Sequence, residues 1–112
     1  MQSPDSQLIV ARFFTALSRL IAGKVIRGKQ TFTNLYDINR RNLYQLELNH
    51  ASDIFQSAWL TYLCRDFHVS PAWLLTGEEP FFTPGWDAAK VAPEIKKLAR
   101  DVKTKTTPPP NL

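Results

Sequence analysis

The chain has 112 residues, 44% of them hydrophobic, and a net charge of +4, which fits one small domain with an extension. No apolar run approaches the roughly 20 residues a membrane helix requires, and the polar start MQSPDSQ lacks the character of a secretion signal. A single cysteine, Cys64, forms no internal disulfide and fits a reducing, cytoplasmic setting; no Cys or His group has zinc-ligand spacing, so neither a metal nor a cofactor is expected.

Ser3-Pro4-Asp5 reads as a helix start, with a capping serine, a proline at the first helical position and an acid in the first turn. Ile9, Val10, Phe13, Phe14, Leu17, Leu20 and Ile21 recur at helical spacing, which predicts a long first helix to about Ala22, closed by Gly23. Phe13 and Phe14 lie within that stripe and are assigned to the core.

Lys29–Glu47, KQTFTNLYDINRRNLYQLE, is the stretch the chain is organised around. It predicts two short helices, about Lys29–Tyr36 and Arg40–Leu48, joined at Asp37-Ile38-Asn39. Asn39 suits the N-cap, because its side-chain oxygen accepts from a free amide of the following turn. Phe32, Leu35, Tyr36, Leu43 and Leu46 face inward, while Arg40, Arg41, Tyr44 and Gln45 are left outside. An outer face of long donors without carboxylates suits the DNA major groove, where Arg forks onto guanine and Gln onto adenine.

Asn49–Ser52 reads as a loop, with His50 exposed and without a role, and Ser52-Asp53 and Ser57 are candidate caps. A helix over about Ala58–Phe67 turns Trp59, Leu60, Leu63, Cys64 and Phe67 inward. Cys64 on that stripe reads as a small buried hydrophobe, and a catalytic Cys64/His68 pair lacks any oxyanion site, so no enzyme activity is expected. Ser70-Pro71 starts a last short helix carrying Trp73, Leu74 and Leu75, which Gly77 ends. The pattern is all-α, five short helices without repeats.

From Pro84 the character changes. A turn of helix is expected over Trp86–Val91, and a weakly amphipathic basic helix over Pro93–Lys103 with Ile95, Leu98, Ala99 and Val102 on one side. That helix has three options: packing back on the domain, pairing with its copy, or lying along phosphates. The Pro-rich tail over 104–112 is expected to be disordered. The boundaries are therefore 1–83 for the domain and 84–112 for the extension.

Charge is unevenly spread. Between residues 19 and 45, Arg19, Lys24, Arg27, Lys29, Arg40 and Arg41 stand against Asp37 alone, whereas residues 46–83 hold Arg65 against five acids. A domain polarised in this way orients on a polyanion with its basic end.

Lys29–Glu47 resembles the helix-turn-helix of the phage-repressor type, the lambda/434 repressor-like or XRE family, in the spacing of Phe32, Ile38, Leu43 and Leu46. Val69-Ser70-Pro71-Ala72-Trp73-Leu74-Leu75-Thr76-Gly77-Glu78-Glu79-Pro80 is similar to the VS-x-x-WLLTGE-x-P segment that often closes these domains. The resemblance covers roughly Leu8–Phe82. It departs at Asp37, where the turn usually has Gly, at Thr33, where a small Ala is usual, at Lys29, where a Gln usually opens the helix, and in a slightly longer stretch before WLLTGEEP.

The resemblance implies a compact five-helix DNA-binding domain followed by the basic helix. It further implies a sequence-specific regulator of bacterial or mobile-element transcription, acting on double-stranded DNA at the nucleoid. Asn39, Arg40, Arg41, Tyr44 and Gln45 would contact bases, and Lys29, Gln30 and Asn42 phosphates. It implies a homodimer, joined through either the Trp73–Phe82 end, where Pro80-Phe81-Phe82 looks exposed, or the Ile95–Val102 helix; no small-molecule ligand is evident. The alternative is a protein-interaction or accessory module on the same scaffold, in a recombination or plasmid-maintenance complex, with the basic helix and tail carrying the partner.

Overall fold

The computed structural model describes residues 3–105, with side-chain surroundings to residue 101. Six helices follow in order: α1 Pro4–Ala22, α2 Lys29–Tyr36, α3 Arg40–Leu48, α4 Ala58–Asp66, α5 Pro71–Thr76 and α6 Ala88–Lys105. The described residues form no strand; one isolated antiparallel bridge pairs Val69 with Phe82.

α1 starts as its sequence indicates. Ser3 accepts a hydrogen bond at Oγ from the Ser6 amide (3.1 Å), with Pro4 at the helix start. Its apolar stripe is the platform of the core. The Phe13 ring, fully buried, meets Phe14, Phe32 and Phe55 edge-on and lies tilted to Trp59. Such offset and edge contacts match the quadrupoles of aromatic rings.

The end of α1 is a Schellman turn. The Val25 amide reaches back to the Leu20 carbonyl (2.9 Å) and the Lys24 amide to Ile21 (3.0 Å). The left-handed residue is Lys24, at φ 62°, while Gly23 has φ −82°. Gly23 serves a different need. A side-chain carbon there would lie 3.0 Å from Cβ of Ala88, so its absence lets α6 begin against the end of α1.

α6 differs from expectation at both ends. It begins at Ala88 rather than Pro93, because Asp87 caps it: its carboxylate accepts from the Lys90 amide at 2.9 Å. Pro93 therefore stands inside the helix, where it removes one backbone hydrogen bond. Val91 (0% exposed) and Ile95 (2%) flank that break and are both seated in the core, which holds the helix across it. The first of the arrangements expected for this helix, packing back on the domain, is the one its Val91–Ile95 side adopts. It also extends to Lys105, so the first two residues of the expected disordered tail are helical, and residues 106–112 lie outside the described ones.

Two further expectations change. Phe81 is 3% exposed rather than open to solvent, packed edge-on to both Trp73 and Phe82. Ser57 makes no side-chain cap to α4, because its own backbone is already helical.

Candidate functional site

α2, its turn and α3 are assembled by local chemistry. Asp37 adopts the left-handed conformation (φ 53°, ψ 48°), and the Ile38 amide donates to the Thr33 carbonyl at 2.9 Å. Asp tolerates this region better than most residues, so the turn closes without glycine. Thr33 is 2% exposed, yet its hydroxyl is satisfied by donating to the Gln30 carbonyl at 3.0 Å. Asn39 caps α3, its Oδ1 accepting from the Asn42 amide at 3.0 Å.

Two polar ties hold this unit, one across it and one to α4. Lys29, in the first turn of α2, forms an ion pair and hydrogen bond with Glu47 in the last turn of α3. Its charge, assigned above to phosphates, is thus shared with a carboxylate. At the other end of α2, the Tyr36 hydroxyl donates to Asp66 of α4 (2.7 Å), and its ring stacks on Tyr62 at 4.1 Å between centroids. Burial, and then the hydrogen bond to Asp66, push the Tyr36 phenol up, so it is a neutral donor. Burial would raise Asp66; hydrogen bonds from Arg65 and Tyr36 outweigh it and hold the carboxyl below its usual range.

The outer face of α3 has no such ties. Arg40, Arg41, Tyr44 and Gln45 are all exposed, as are Asn39 and Asn42, and Gln30 is exposed on the first turn of α2. Neither Arg40 nor Arg41 has an ion-pair partner among the described residues, and the first turn of α3 contains no acid. Tyr44 is 61% exposed, and Leu48, one turn further, is 70% exposed. Leu48 was not singled out by the sequence, because an apolar residue at a helix end carries no local sign of being left outside.

Other assignments move. His50 is half-buried, its ring parallel to that of Phe14 at 5.7 Å, so it packs rather than standing free. Arg19 does not belong to the basic end. Its guanidinium lies 4.2 Å from the Phe81 ring and 4.0 Å from the Glu79 carboxylate. Arg12 sits at the end of α5, donating to the Leu75 carbonyl at 3.0 Å, where a cation meets the negative end of the helix. Gly77, just beyond, has φ 80°, and a side-chain carbon there would lie 3.3 Å from Arg12 Nε.

Cys64 is half-buried, and that burial pushes its thiol up, away from the reactive thiolate. The His68 ring lies flat on Trp86 (3.6 Å) with Glu94 at 3.2 Å from Nε2. No group of His, Cys, Asp and Glu able to hold a metal occurs among the described residues, and none of their helices is long and apolar enough to cross a membrane. Comparison with known proteins finds no matching family model, no matching curated protein and no matching solved structure.

Proposed function

We propose that the chain is a sequence-specific double-stranded DNA-binding protein with a lambda-repressor-like arrangement, and that it regulates transcription in a bacterium or mobile element. The observation that carries this reading is the start of α3, where two arginines with no ion-pair partner among the described residues stand at the positive end of a helix. Cations there are unfavourable by about 0.3–1 kcal/mol each. An anionic partner turns that cost into binding energy.

In this reading α3 lies in the major groove. Arg40, Arg41 and Gln45 meet base edges, with Asn39 contributing whatever donors its capping role leaves. Tyr44 and Leu48 form the apolar part of the face, of the kind that packs on a thymine methyl. Gln30 and Asn42 contact phosphates, and Lys29 does so only in competition with Glu47. The function is binding rather than catalysis. Two copies on paired half-sites would set their α3 helices about 34 Å apart.

The test is selection by the full chain from a pool of random duplexes at about 150 mM salt, where nonspecific attraction is largely screened. Enrichment of one short motif, repeated with inverted symmetry, is the expected result. A pool that stays random after selection refutes the reading.

A further inference from the structure

A groove of about 900 Å³ opens between the α1–α2 loop and α6. Its floor is apolar, from Ile21, Val25, Ile26, Ile95 and Ala99, and its rim carries Lys24, Arg27, Lys96 and Arg100. No carboxylate lines it. We infer that this groove is a second DNA contact, gripping the sugar-phosphate backbone beyond the bases that α3 reads. The inference rests on the DNA reading above.

Three observations support it. First, both acids of α6 point away from the groove. Lys96 and Arg100, one helical turn apart, line it, while Glu94 and Asp101 line a separate depression that also holds Lys97 and Arg65. Like charges one turn apart destabilise a helix by a few tenths of a kcal/mol, about 0.2–0.5. Gathering them around one concavity adds to that cost, which an anionic occupant relieves.

Second, Lys24, Arg27 and Lys96 form no ion pair among the described residues, whereas Lys29 is held by Glu47. The uncompensated charge at the start of α2 therefore belongs to the groove rather than to Lys29. Third, Thr31 of α2 lines the groove, so it opens on the same helical turn as Gln30, which the DNA reading gives to a phosphate. In that reading the strand that Gln30 touches continues into the groove. The apolar floor lowers the local dielectric and strengthens each phosphate contact.

The experiment measures binding of the full chain to a selected duplex and to a random duplex across a salt series. The Lys24→Ala/Lys96→Ala variant is set beside Lys90→Ala/Lys97→Ala, which removes the same charge elsewhere. Each phosphate contact adds about 0.9 to the slope of log affinity against log salt, so the groove variant should lose roughly two from it. Affinity should fall by about tenfold on both duplexes with sequence preference unchanged, and the control should keep most of the slope.

Equal loss of slope in the control overturns the inference in favour of diffuse attraction. An unchanged slope in the groove variant, with wild type still preferring its motif, overturns the inference and leaves the DNA reading standing. Loss of preference in wild type itself refutes both. Polyglutamate is the further arm: if the groove variant loses polyglutamate binding but keeps its duplex slope, the groove serves an acidic protein and the inference fails.

Discussion

The end of α5 and the outer face of α3 treat long polar side chains in opposite ways. Around α5, Arg12 donates to the last carbonyls of the helix and Arg19 lies over Phe81 beside Glu79, with Trp73 buried beneath. Every cation there has an internal partner. On α3, Arg40 and Arg41 have no ion-pair partner among the described residues, and Tyr44 and Leu48 stand in solvent although the helix beneath them is firmly held. Two regions with similar residue types thus differ in how far their side chains are tied into the fold. The α5 end uses its groups to fold the chain, and the α3 face leaves its groups to solvent, which is what the proposed binding role requires.

The largest stability effect belongs to the α5 end. Trp73→Ala removes the buried indole by which α5 packs on Phe81 and should cost about 3–5 kcal/mol in urea unfolding. Gly77→Ala forces a side chain into a left-handed position crowded by Arg12, and should cost about 1–2 kcal/mol in the same assay. A neutral Gly77→Ala would break the comparison, because it would mean that the Arg12 cap yields freely.

Tyr36→Phe sharpens the comparison by loosening the support of α3 from below. It should cost about 1 kcal/mol near neutrality, since the lost bond ran to a carboxylate but is only part-buried. The Asp66 carboxyl is lower in the folded chain than in the unfolded one, so its contribution is complete above the unfolded value, about pH 4, and is lost as pH falls through the folded value. The gap between wild type and Tyr36→Phe should therefore narrow on acidification below that point. Tyr36 is shifted the other way, so wild-type stability should also decline above about pH 10, and less steeply in the variant. Thermal melts at a series of pH values read both limbs.

The smallest stability effect is expected on the α3 face. Arg40→Ala/Arg41→Ala/Gln45→Ala removes exposed groups without internal partners and should change stability by about 0.5 kcal/mol or less. A melting shift as large as that of Gly77→Ala would show that these side chains support the fold after all.

The all-α character and the bounds of α2 and α3 were legible because they rest on neighbours in sequence. Asn39 caps residues beside it, and Phe32, Leu35, Leu43 and Leu46 carry the helical period. The start of α6 was hidden by Pro93, which resembles a helix start when Asp87 goes unnoticed as a cap. Burial of Phe81 depends on the bridge that turns the chain back beside Val69, a contact with no periodicity to reveal it. The outer residues of α3 were legible because they are what the apolar period leaves over. The pairing of Lys29 with Glu47, and the loss of Arg19 from the basic end, were not, because each partner lies far along the chain. Leu48 and the rim of Lys24, Arg27, Lys96 and Arg100 likewise exist only once the helices are packed.

The central claim is that the α3 face reads DNA sequence. Its most direct test is competition between a selected duplex and random duplex at about 150 mM salt, for wild type and for Arg40→Ala/Arg41→Ala/Gln45→Ala. Each good base contact is worth about 1–3 kcal/mol of discrimination, so wild type should prefer the selected duplex by about a hundredfold or more and the variant should lose nearly all of that while remaining folded. A folded variant that keeps the wild-type preference would contradict the claim.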